Sequence, residues 1–336
     1  MPPSHEPLTP RHWDKHHVLV LADDVEADEI ALLAATRWRG VGVGQSEIRL
    51  SRHSSLFGPY LIEPATTGRL GLPRGLSAGW VVSTLRERGE APYRGTLDPT
   101  GIARAFPDGL PIREEARVAQ FLVASARRLG GVVRFAESGV MVAPVPDAAL
   151  DLAVYSPLWM EPEAALAAVR QVVPEFEYSM SLAPFALPAG DGARLPQSVW
   201  ADSGLDGLSR DQRLALHEAA NARDEGQAAA EAVLDRYALE VSYGQAGMVV
   251  VEIGGVEQVP GALREVDWAL GGAVKYEVKW LPQDPNHLLM EFPPAAHCEL
   301  RTPMAGIINQ LASAIHAVVG AEVLDSDGFP INPADL

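Results

Sequence analysis

A single cysteine, Cys298, in 336 residues excludes an intramolecular disulfide and any metal site built from several cysteines. Aromatic residues are scarce at 7%, so aliphatic and alanine side chains must fill most of the core. No run approaches the roughly 18 uninterrupted apolar residues that a bilayer-spanning helix needs. The stretch from Met1 to Val18 lacks a charged-then-apolar leader pattern. Together with the lone cysteine, this points to a reducing, cytoplasmic setting. Positive charge is also short. A formal net charge of −17 disfavours general nucleic-acid binding, which needs clustered cations to displace counterions, and disfavours docking on anionic lipid. Lysine is nearly missing: Lys15, Lys275 and Lys279 leave 27 − 3 = 24 of the basic residues as arginine. Arginine carries a planar, permanently charged fork suited to carboxylate and phosphate.

What is present is an ordinary globular composition, 47% hydrophobic, in a chain long enough for two or three domains of about 100–200 residues. Three segments align without gaps: RLGGVVRFAESG (128–139), RYALEVSYGQAG (236–247) and AVVGAEVLDSDG (317–328). Each reads as the end of an alanine-rich helix (114–127, 225–235, 303–316), a short strand and a closing glycine. A second set runs strand, acidic loop, helix, strand, from 18–23, 151–156 and 248–253 through to 47–51, 175–181 and 273–280. Ala-Leu pairs at 31–32, 165–166 and 262–263 coincide in all three helices. In 273–280, Val274, Tyr276, Val278 and Trp280 alternate with Lys275, Glu277 and Lys279, the period of a strand with one buried face. The last copy reads as strand 248–253, helix 260–270, strands 273–280 and 287–292, helix 302–319 and strand 322–325. That is the βαββαβ order of a ferredoxin-like unit.

The expected fold is therefore α+β, with three tandem ferredoxin-like (βαββαβ) units and antiparallel sheets. A tail, 1–16, precedes unit 17–145, which carries an Arg/Gly/Pro-rich insertion at 52–112. A degenerate unit, 146–246, and a third unit, 247–336, follow. In the second unit a Pro/Gly/Asp linker precedes a helix that Ser209 and Gln212 would cap.

No linear motif declares an activity. The carboxylates Asp23, Asp24, Glu26, Asp28 and Glu29 follow the first strand, where acidic residues favour a helix N-terminus. Gly40, Gly42 and Gly44 come after a helix and before a strand, the reverse of a phosphate-cradling loop, and read as a helix C-cap and turn. His287, Glu291 and His297 are weak candidates for a metal triad, with His12, His16 and His17 weaker still. His316 reads as a boundary residue of the last helix. No metal or cofactor is expected.

Arg49 to Arg104 holds eight arginines against four acids, a local +4 that leaves −17 − 4 = −21 on the rest of the chain. Arg69, Arg74, Arg86, Arg88 and Arg94 are the candidate ligand-binding residues. The expected function is non-catalytic binding, regulation or scaffolding that recognises an anionic small ligand or an acidic protein partner. A protein partner or a second copy would use an exposed sheet face. The alternative is an enzyme with a small-molecule or cofactor cavity between the sheets.

Overall fold

The computed structural model describes residues 4–179 and 235–336, together with Ser209 and Gln212. The chain is mixed α+β and builds two antiparallel sheets. In the first, β1 (Ser4–Pro7) and α1 (Pro10–Lys15) lead to β2 (His17–Ala22), α2 (Ala27–Ala35), β3 (Gly42–Val43), β4 (Glu47–Arg49) and β5 (Ser55–Leu61). Then come α3 (Pro64–Leu70), β6 (Leu76–Ser83), α4 (Ile102–Ala105), α5 (Arg113–Arg128), β7 (Val132–Arg134) and β8 (Met141–Val142). The second comprises β9 (Leu152–Ser156), α6 (Pro162–Arg170), β10 (Glu177–Tyr178), β11 (Arg236–Ser242), β12 (Met248–Val256), β13 (Ala273–Leu281), α7 (Ala295–Val319), β14 (Glu322–Asp325) and β15 (Pro330–Ile331).

Both sheets share one order. The first runs β3-β4-β5-β6-β2-β7-β8, with β1 added parallel to β5, and the second runs β10-β11-β12-β13-β9-β14-β15. In each, a first strand, β2 or β9, lies between the last strand of a meander and the strand that follows a long helix. The recurrence along the described strands is therefore twofold. Segments 128–139 and 317–328 do occupy matching places, from the end of α5 or α7 through β7 or β14 into a turn. There Gly139 (φ 67°) and Gly328 (φ 78°) take the left-handed backbone that glycine adopts without strain. Segment 236–247 is instead a meander strand, β11, hairpinned onto β12.

Two sheets, not three, account for these strands. β9, expected in the second unit, pairs with β13 and β14 of the expected third unit. Segment 260–270 forms two short 3-10 turns between Pro260 and Gly271-Gly272 rather than a helix. Segment 287–292 is no strand. Asp284 accepts the Asn286 N–H at 3.0 Å and starts a 3-10 turn over Pro285–Leu289, and Pro293-Pro294 close it off. The linker at 184–208 and the helical stretch 225–234 lie outside the described residues. Ser209 and Gln212 do make the reciprocal cap: Ser209 N–H donates to the Gln212 side chain at 2.9 Å and Gln212 N–H to the Ser209 hydroxyl at 3.3 Å.

Alternation decides the faces. On β13, Tyr276, Val278 and Trp280 are buried beneath α6 and α7, while Lys275, Glu277 and Lys279 form a half-buried ion-pair ladder with Glu252 on the other side. A second apolar cluster on that other side sets Ala153 and Tyr155 against Leu263 and Ala269 of the 3-10 turns. In the first sheet α2 and α5 cover one face, and residues around α1 and α3 cover the opposite one, with Trp13, Ile62 and Leu72 packed on Val18 and Val20. Among the described residues the sheet faces are thus largely covered or charged.

One side chain joins the two sheets' cores. Phe329, from the β14–β15 turn, is fully buried in the core of the first sheet, with the Arg37 guanidinium 5.6 Å from its ring centre. Beside it Arg127 pairs with Asp327 at 2.5 Å. Emptying a buried phenylalanine site costs about 3–5 kcal/mol. Phe329→Ala is therefore expected to lower unfolding free energy by that amount in urea titrations. A loss below about 1 kcal/mol would show that the turn does not hold the two halves together.

Candidate functional site

The start of β2 and the end of β6 are paired, His17 opposite Val82, and this register brings α1 beside the first arginines of the insertion. The result is a cavity of about 430 Å³ lined by Lys15, His16, His17, Val82, Ser83, Thr84 and Arg86. No carboxylate lines it. Lys15, Ser83 and Arg86 are exposed, and His16 and Thr84 are half-buried. Arg86 bonds the Lys15 carbonyl and pairs with Glu137, which fixes its fork over the opening. The His16 Nδ1 lies 3.1 Å from the Val82 carbonyl, so Nδ1 carries the proton and Nε2 has no partner among the described residues. Burial lowers the His16 pKa, with the Val82 carbonyl opposing and His12 and Arg86 adding to the shift. Thr84 is held by Ser54 at 2.9 Å.

Behind the cavity lies a buried charge network. Glu115, on α5, is fully buried, accepts the Glu87 N–H at 2.7 Å and the His17 Nε2–H at 3.2 Å, and forms an ion pair with the Arg88 guanidinium. His17 Nδ1 in turn accepts the Ala136 N–H at 3.1 Å. Both ring nitrogens are thereby committed, the imidazole is neutral, and His17 is no general base. Burial lowers its pKa from 6.5 to about 4, helped by Arg88 and Arg86.

The five candidate arginines do not converge. Arg86 faces the cavity. Arg88 sits behind it, paired with Glu115 and Glu137 and lying 4.6 Å from the Phe106 ring centre. Arg69, on α3, Arg74 and Arg94 are exposed at separate places and make no ion pair among the described residues. Lys15, His16, Ser83 and Thr84 were not legible as a site, because the 66-residue span between His16 and Val82 closes only through strand pairing.

The metal candidates form no triad, and no group of three or more His, Cys, Asp or Glu among the described residues is placed to hold an ion. His297 is buried and stacks on Trp280 with ring centres 4.8 Å apart; its nitrogens have no hydrogen-bond partner among the described residues. His287 meets it edge-on at 5.3 Å and contacts Asp284. Glu291 turns away to Arg104, accepting at 2.5 and 2.9 Å. His12 bonds Thr9, and His316 lies 3.2 Å from the Ala321 carbonyl at the end of α7. Glu29 accepts the Glu26 N–H at 3.1 Å at the start of α2, so these acids cap that helix.

Asp151, accepting the Trp280 N–H at 3.0 Å, is raised to about 6 by burial. That bond ties the chain entering β9 to β13, which is a structural use of a perturbed group. Comparison with family models, curated proteins and solved structures gave no match.

The His17 shift makes stability depend on pH. Its folded pKa lies below the unfolded 6.5, so the unfolded chain takes up the proton first as pH falls. The contribution is complete above pH 6.5 and is lost progressively down to about 4. At 1.36 kcal/mol per pKa unit it amounts to about 3 kcal/mol. His17→Gln keeps a donor toward Glu115 but does not titrate. The stability difference, wild type minus variant, should fall by about 3 kcal/mol between pH 7 and pH 4 in denaturant titrations. A difference independent of pH would mean that His17 is not held neutral.

Proposed function

We propose that the protein is a non-catalytic binding protein that holds an anionic group in the cavity between α1 and the end of β6. One observation carries the reading: Lys15 and Arg86 flank a cavity that contains two hydroxyls and an imidazole whose Nε2 has no partner among the described residues, and no carboxylate lines it. Arginine and lysine provide charge-assisted donors to phosphate, sulfate or carboxylate oxygens. An anion there would stabilise protonated His16, so binding takes up a proton and tightens as pH falls. The group belongs either to a small ligand or to an acidic protein partner. The single cysteine supports a cytoplasmic setting for such a role.

Catalysis is less well supported. His16 bonds a backbone carbonyl and no hydroxyl, and His17 is saturated. The enzyme alternative rests on a cavity of about 390 Å³ between the two halves of the molecule. There the Cys298 thiol contacts the Pro293 carbonyl at 3.9 Å, and no histidine pairs with it among the described residues.

Sulfate, whose charge is constant from pH 5 to 8, is the probe, with a hexaglutamate peptide for the partner arm. Isothermal titration should give one saturable site that weakens from 50 to 300 mM NaCl, because exposed charges are screened beyond about 8–10 Å. It should strengthen from pH 8 to pH 6. Lys15→Gln with Arg86→Gln should abolish it with little change in melting temperature, since exposed ion pairs contribute about 0–1 kcal/mol each. Saturation by the peptide alone would assign the site to an acidic partner. Binding lost instead with Arg69, Arg74 and Arg94 replaced by Gln, or no binding of either probe, would refute the proposal.

A further inference from the structure

The contact between the two halves leaves a partly open cleft of about 390 Å³, within the size range of small-molecule sites. One wall is the segment joining the halves, including Val142 and Val145; the other is the 3-10 turn and the start of α7, including Leu288 and Phe292. These walls are apolar. Phe292 is 75% exposed, an unusual setting for a phenylalanine beside a cavity.

The charges in this cleft do not all cancel. Arg127 pairs with Asp327 at 2.5 Å, and Glu291 is held by Arg104 through two bonds. Arg301 is different. It lines the cavity, is 6% exposed, and makes no hydrogen bond among the described residues. Among the described residues its ion pair is a loose 3.5 Å contact with Asp147 Oδ1, which has no hydrogen-bond partner among them. A guanidinium has five N–H donors, and the 3.5 Å contact with Asp147 engages them only loosely. Asp147 is 44% exposed at its side chain and can turn to water when a better acceptor arrives.

We infer that this cleft binds a small amphiphilic carboxylate, its head on Arg301 and its hydrocarbon part against Val142, Val145, Leu288 and Phe292. A single negative charge fits. With the other pairs closely bonded, one guanidinium held only by the 3.5 Å contact with Asp147 favours a carboxylate over a dianionic phosphate. The site is separate from the Lys15/Arg86 cavity and does not depend on it.

The probe is octanoate, with octanol and octylamine as controls, titrated into the full chain by calorimetry. One octanoate should bind per chain, at least tenfold more tightly than octanol, and octylamine should not bind. Arg301→Gln should weaken octanoate at least tenfold. Because Arg301 is buried and its replacement can cost stability, Phe292→Ser is the companion: the side chain is exposed, the fold should be unaffected, and affinity should fall at least fivefold. Lys15→Gln with Arg86→Gln should leave octanoate binding intact. Octanol binding as tightly as octanoate, no saturable octanoate binding, or unchanged affinity in folded Phe292→Ser would overturn the inference. Octanoate binding lost in the Lys15/Arg86 variant but kept in Arg301→Gln would overturn it while leaving the anion cavity standing.

Discussion

A carboxylate with no access to water must be met by donors, and Glu115 sets that requirement for the first half of the molecule. It draws in His17 from β2, the Glu87 amide and Arg88 from the insertion, while His17 reaches on to the backbone after β7. Four segments far apart in sequence are thereby fixed together. The insertion could otherwise leave the body of the protein after β6; instead it is tied down at Glu87 and Arg88. Arg86, next along the chain, is left at the rim beside Lys15. The Lys15/Arg86 cavity is a by-product of satisfying one buried charge.

The repeated sheet order places the two candidate sites differently. The Lys15/Arg86 cavity lies within the first sheet's half, at an edge created by α1 and the insertion. These have no counterpart among the described elements of the second half. The Arg301 cleft exists only because the halves meet, with Phe329 seated in the core of the first sheet and Asp327 beside it on Arg127. A twofold repeat has thus produced one site by local addition and another at the contact between copies.

Much of the secondary structure was legible because local apolar periodicity carries it. The strands at 18–23, 151–156, 273–280 and 322–325 and the helix at 114–127 all form close to where their patterns predict. The third copy of the repeat failed because a helix, a short strand and a glycine are common company, and Arg236–Gly247 shares that pattern from a different place in its sheet. Strand 287–292 failed because Asp284 and Pro285 start a 3-10 turn over Pro285–Leu289 and Pro293-Pro294 end the segment. β5 was missed inside a Gly/Pro-rich stretch, since its stability comes from β4 and β6 on either side. The arginine excess did mark the insertion as unusual. Which arginine faces a cavity depends on strand pairing and on Glu115, and neither is written locally.

The most direct test is an amide chemical-shift map of the intact protein titrated with sulfate. An anion site between α1 and β6 should concentrate the saturating shifts at Lys15, His16, Ser83, Thr84 and Arg86. Shifts centred instead on Arg69, Arg74 and Arg94, or spread over the surface without saturation, would contradict it.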